Sequence, residues 1–175
     1  MDKRSPTIEQ ALAIIGEQFR REGLPHFHDP LMAVVDAALR LLRCEVEVLL
    51  VYVLDAQSRL LCVEEVARGS GSSLVFSIRR LARIALEHGG ASVIVIHNHP
   101  GDDCRPSPDD EKAAEKIDLA LVGFGILARH FVVSETGFAD INTGKVHPFP
   151  EVAATLEIRE KARCPHCHGP LDTPQ

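Results

Sequence analysis

His97-Asn98-His99-Pro100 follows directly on a short apolar run, Ala91 to Ile96, and is itself followed by Ser107, eight residues after His99, and then by Asp110. Alternate residues of an extended strand point to the same face, so a strand running into this motif brings His97 and His99 toward one point and turns Asn98 away. Two imidazoles on one side suit a metal ion. A catalytic zinc takes three protein ligands from His and carboxylate groups and leaves a fourth position for water. Asp110 is the candidate third ligand, because the Pro-containing loop 100–108 can return the chain to the strand end. Such a centre can activate water, because zinc lowers the pKa of a bound water toward about 7 and polarises a carbonyl.

Ser107-Pro108-Asp109-Asp110 also has a purely structural reading. Ser107 is a good helix N-cap, Pro108 suits the first helical position and Asp110 stands third, as in a capping box. The paired histidines favour the metal, since imidazole is costly to bury without partners. A nucleobase deaminase is excluded, because it needs His-x-Glu and a later Pro-Cys-x-x-Cys, whereas Cys164 follows Arg163. The contiguous letters His97-Asn98-His99 do not make an HNH nuclease either, whose name describes dispersed residues.

The elements that must position these residues read as alternating helices and strands. Ile8, Ala11, Leu12, Ile15 and Phe19 recur at helical spacing until Gly23 and Pro25. A second helix opens at Asp29-Pro30 and carries Leu31, Val34, Val35, Ala38, Leu41 and Leu42 on one face. Residues 46–54 and 60–66, separated by Asp55-Ala56-Gln57-Ser58, read as a β-hairpin. Residues 77–88 return to helical spacing and end at Gly89-Gly90. After the strand at 91–96, a helix is expected from Pro108 to about Val122 and a strand over 127–134. This order implies an α/β sandwich of two or three layers around a mixed sheet flanked by helices.

The bulk properties narrow the class. The chain has 175 residues, 45% hydrophobic and 25% charged, with 12 Gly and 11 Pro, which fits one globular domain and excludes fibrous and disordered classes. No apolar run approaches the roughly 20 residues that span a bilayer, so no membrane role is expected. The start, Met1-Asp2-Lys3-Arg4-Ser5-Pro6, lacks the apolar stretch of a secretory signal. Nineteen Lys+Arg against 25 Asp+Glu give a formal charge of −6, which disfavours nucleic acid as a partner. The five scattered cysteines, an odd number without export signals, suit a cytoplasmic protein with reduced thiols.

Together, His97-Asn98-His99-Pro100, Ser107 and Asp110 resemble the JAMM (JAB, MPN+) signature His-x-His-Pro-x(n)-Ser-x-x-Asp, most closely in its RadC-like bacterial branch. Residues 47–55 resemble that family's opening strand, 77–86 its central helix and 125–131 its late strand, so the resemblance covers about 44–146. It implies a JAB/MPN-like, cytidine-deaminase-like sandwich. It further implies Zn2+ held by His97, His99 and Asp110, with Ser107 donating a hydrogen bond to the tetrahedral intermediate. A glutamate on the first strand is then the general acid/base; Glu47 is preferred, with Glu45, two residues earlier on the same strand face, as its rival. The implied reaction is hydrolysis of a peptide or isopeptide bond in a protein or peptide substrate.

Two departures stand out. Gly101-Asp102-Asp103-Cys104 replaces the branch's usual Ser-Gly after His-Pro, and Arg129-His130 replaces Asp-His on the late strand. Residues 1–43 read as a helical segment packed on the core, without the paired Gly-containing hairpins of the helix-hairpin-helix region that often precedes this domain. The working domain is 44–150, followed by a tail, 151–175. There Cys164-x-x-Cys167 with His168 is a candidate second metal cluster, weighed against a thiol-bearing tail because a structural zinc needs four ligands. Cys104 is read as an exposed thiol in the active loop rather than a ligand. Arg79, Arg80 and Arg83 are the one candidate basic patch for DNA. Apolar faces on the two N-terminal helices either make a homodimer or cover the sheet.

Overall fold

Val48–Leu54 is a run of seven apolar residues in which every side chain is buried, the pattern of a strand covered on both faces. In the computed structural model, which describes residues 30–41, 44–69, 76–101 and 103–149, this run is strand β1. It forms the expected hairpin with β2, Leu60–Arg68. The turn is built by Asp55, whose Oδ1 accepts the amides of Gln57 at 2.8 Å and Arg59 at 2.9 Å. The other strands are β3 (Ser92–Asn98), β4 (Leu127–Val133), β5 (Gly137–Asp140) and β6 (Lys145–Pro148). Their order is β2-β1-β3-β4-β5-β6, with β3 and β4 parallel and all other neighbours antiparallel.

Three helices are seen among the described residues: α1 (Leu31–Leu41), α2 (Ile78–Glu87) and α3 (Pro108–Val122). Strand alternation sorts the core into two layers. Leu50, Tyr52 and Leu54 of β1, with Ile94, Ile96, Phe131 and Val133, pack against α1 through Val34, Val35, Ala38 and Leu41. Leu49, Val51 and Val53 of β1, with Val93 and Val95, face the opposite way onto Leu81 and Ile84 of α2 and Ile117 and Leu121 of α3. The architecture is therefore a three-layer α/β/α sandwich with a mixed sheet. The apolar face of α1 packs on the sheet. Burying a side chain such as Leu81 contributes about 1.5–3 kcal/mol.

Strands β5 and β6 have four residues each and carry no periodicity long enough to read; pairing with β4 makes them strands. The expected helix over 5–23, Leu42, and the cluster Cys164, Cys167 and His168 lie outside the described residues.

Candidate functional site

Helix α3 begins where the sequence places a cap. Ser107 Oγ accepts the Asp110 amide at 3.2 Å, and the Ser107 amide donates to Asp110 Oδ2 at 2.7 Å, completing the capping box. The Ser107 hydroxyl also donates to Asp110 Oδ2, at 2.6 Å. The structural reading of this segment is thus correct, and it does not compete with the chemical one. The cap holds Oδ2 in place and leaves Oδ1 directed at His97, whose Nε2 lies 3.2 Å away.

His97 continues the parity of Val93 and Val95, so its ring faces the α3 side of the sheet. His99 lies one residue beyond the end of β3, held there by its amide, which donates to the Val133 carbonyl at 2.9 Å. Its Nε2 is 3.3 Å from Asp110 Oδ2 and 3.3 Å from His97 Nε2. His99 Nδ1 lies 3.1 Å from the Asp103 carbonyl oxygen, a contact that orients the ring as a second partner orients metal-binding imidazoles. Zinc–nitrogen bonds of about 2.0–2.1 Å at tetrahedral angles separate ligand atoms by about 3.3 Å. The spacings among His97, His99 and Asp110 fit such an ion.

The electrostatics of the triad follow from the same contacts. Burial raises the Asp110 pKa, but the hydrogen bonds from His97 and His99 outweigh it and hold the carboxyl well below the usual carboxylate range. His99 is raised above its ordinary value, first by its hydrogen bond to Asp110, with burial opposing. A preformed anion thus faces two imidazoles before any cation arrives.

The triad stands in a cleft of about 720 Å³, a size usual for small-ligand sites, whose lining includes Glu45, Glu47, His97, His99, Ser107 and Asp110. The position of the glutamates corrects the expectation. Neither lies on the first strand, because β1 starts at Val48. Opposite that point β3 ends at Asn98, whose side chain takes the place of a continuing backbone ladder: Oδ1 accepts the Val48 amide at 2.8 Å and Nδ2 donates to the Val46 carbonyl at 3.1 Å. Glu47 is half-buried, and its negative charge reaches His99 and raises that imidazole further. Glu45 is exposed.

Cys104 is the second correction. It is 4% exposed, and burial pushes its thiol up while Ser134 partly offsets the shift. The loop turns this side chain inward, leaving the exterior to Asp103 and Arg105, which pair at 2.8 Å. The Arg105 hydrogen bond holds Asp103 down to about 2. His130, the retained His of the late-strand pair, carries no role in the sequence-based expectation. It is buried at the cleft, with Nε2 2.8 Å from Asp118 Oδ1 on α3, and burial lowers its pKa against the pull of Asp118. Its register opposite Val95 puts it on the α3 face, a signal readable from alternation once the strand pairing is known.

The family model for the RadC-like JAB domain matches residues 28–143. The chain belongs to this family. The match extends beyond the opening strand to take in α1, which packs on the sheet. Among curated bacterial relatives, a UPF0758 protein of Cupriavidus pinatubonensis is 38% identical over 106 residues, 60% of this chain and 43% of that protein. One from Chromobacterium violaceum is 40% identical over 93 residues, 53% of this chain and 42% of its own length. One from Actinobacillus pleuropneumoniae serotype 5b is 32% identical over 111 residues, 63% of this chain and 50% of its own. The chain thus spans half or less of the length of these RadC-like relatives. Among the described residues no helix is long and apolar enough to cross a membrane.

Proposed function

We propose that this RadC-like JAB domain is a zinc-dependent hydrolase that cleaves a peptide or isopeptide amide bond. The observation that carries the reading is the convergence of His97 Nε2, His99 Nε2 and an Asp110 carboxylate at 3.2–3.3 Å on the wall of a cleft that Glu47 also lines. His97, His99 and Asp110 would hold the ion. When bound, zinc supplies a Lewis acid that polarises a carbonyl and acidifies water.

The chain's own residues supply the rest. Glu47 takes the proton of the attacking water as it adds to the carbonyl carbon, then passes that proton to the amide nitrogen as the C–N bond breaks. The Ser107 hydroxyl, which donates to Asp110 Oδ2, would donate instead to the oxyanion, a contribution of about 2.7–4 kcal/mol in comparable sites. Leu49 and Ile117 give the cleft an apolar floor that strengthens these polar contacts. The free thiols Cys44, Cys62 and Cys104 favour work in a reducing cytoplasm.

The test is cleavage by the zinc-loaded full chain across peptide and isopeptide libraries. Glu47→Gln is expected to keep the ion held by His97, His99 and Asp110 and lose cleavage, whereas His97→Ala loses that ion and cleavage together. Metal retained by the native chain without cleavage of any library member would instead favour a non-catalytic recognition protein. DNA binding that weakens steeply with salt would favour a repair-associated accessory role.

A further inference from the structure

A second group of metal-ligating side chains lies away from the cleft. Cys62 and Glu64 are alternate residues of the edge strand β2, so they share a face. They pair in register with Val53 and Val51, the β1 residues that face α2 and α3. His88 comes down on them from the C-cap of α2, with Nε2 3.5 Å from Glu64 Oε1. One ligand atom from each of Cys62, Glu64 and His88 lies within 4.8 Å of the other two.

We propose that Cys62, Glu64 and His88 form a second site for a zinc-like divalent cation, one that clamps the edge strand β2 to the end of α2. The donor set is one sulfur, one carboxylate oxygen and one imidazole nitrogen. That mixture suits a borderline-soft ion such as zinc and disfavours magnesium or calcium, which take oxygen ligands. Three protein donors leave a fourth position for water.

The supports are rigid on both sides. Cys62 and Glu64 are fixed by the β1–β2 ladder. His88 is fixed by its own amide, which donates to the Ile84 carbonyl at 3.2 Å, and by the turn that follows. Gly89 there has a φ of +65°, and a Cβ on Gly90 would come within 2.4 Å of Val53 Cγ1, so the turn packs against the same β1 residue that neighbours Cys62. A helix C-terminus also carries partial negative charge, which favours a cation at this end of α2.

The local charges point the same way. Among the described residues, Glu64 has His88 within ion-pairing distance, at 3.5 Å. The half-buried Cys62 thiol stands beside the half-buried Glu64 carboxylate, with the His88 imidazole against both. A divalent ion neutralises the pair and stabilises the thiolate. Cys62 sits four β1 residues along from the register of His97, roughly 13 Å at the rise of a strand, so the two centres are separate. The site stands or falls independently of the hydrolase reading.

The experiment uses the full chain carrying His97→Ala, His99→Ala, Cys164→Ser and Cys167→Ser, titrated with cobalt(II) alone and then with zinc(II) alone. The expected result is one ion per chain and the near-ultraviolet charge-transfer absorption of a cobalt–thiolate bond. Adding Cys62→Ser removes that absorption, and adding His88→Gln weakens binding about tenfold or more. His88 is exposed, so His88→Gln keeps the reading clear if Cys62→Ser folds poorly; the metal-dependent rise in Tm is smaller in it than in the parent. No bound ion in the parent chain, or a thiolate band that survives Cys62→Ser, would overturn the proposal and leave an ion pair beside a half-buried thiol.

Discussion

Asn98 holds the backbone on both sides of Glu47, accepting the Val48 amide at 2.8 Å and donating to the Val46 carbonyl at 3.1 Å. The residue between the two histidines thus fixes the backbone segment that carries the acidic residue lining their cleft. Asn98 is 2% exposed, so Asn98→Ala leaves the Val48 amide buried and unpaired at a cost of about 1–3 kcal/mol. Faster hydrogen exchange at Val48 with unchanged metal content is the expected result. Native-like exchange in the variant would show that Asn98 does not hold this segment.

Ser107 both caps α3 and holds Asp110, and two substitutions separate those duties. Ser107→Ala is expected to cost about 0.5–2 kcal/mol through the lost cap, whereas Ser107→Gly costs only a few tenths because glycine tolerates the cap position. Both remove the hydroxyl from Asp110 Oδ2. Equal loss of metal affinity in the two variants, with unequal loss of stability by calorimetry, would separate the hydroxyl's hold on Asp110 from helix capping. Affinity that tracks stability would reject that separation.

Protons and metal compete for the triad. In the metal-free protein, Asp110 is lowered, so its contribution is present above an unfolded pKa near 3.8 and lost as pH falls through its folded value. His99 is raised, so its contribution is full below 6.5 and lost as pH rises through its folded value. The ion pair therefore stabilises the metal-free chain most between those two unfolded values. Binding zinc displaces the proton from His99, so the zinc-induced rise in Tm should be large at about pH 8 and shrink toward about pH 5. A rise in Tm independent of pH would place the ion elsewhere.

Tyr52 is the single tyrosine, and its hydroxyl donates to Asp36 Oδ2 of α1 at 2.7 Å, beside the Arg40 ion pair. Burial first, then the Asp36 charge, raise the phenol far above its ordinary value. An unfolded phenol ionises near 10 and the folded one does not, so this contribution is lost as pH rises past about 10. Phenolate absorbance should appear only with unfolding, since no other tyrosine contributes. Tyr52→Phe is expected to cost about 1.5–3 kcal/mol, a fall in Tm of roughly 3–12 °C.

The sequence by itself determined the elements and the donor set. The periodicity of 31–41, the apolar runs of β1 and β3, and Ser107-Pro108-Asp109-Asp110 are local signals, and each folds as the spacing predicts. Tertiary structure decided what sits beside what. Glu47 leaves the strand because the side chain of Asn98, fifty residues along the chain, takes up the hydrogen bonds that a longer ladder would make. Cys104 turns inward against Ser134, His130 finds Asp118, and Cys62 meets His88, each through partners at distant positions. Hydrophobic periodicity encodes which face a residue takes on its own element, but not the register and crossovers that bring two elements together.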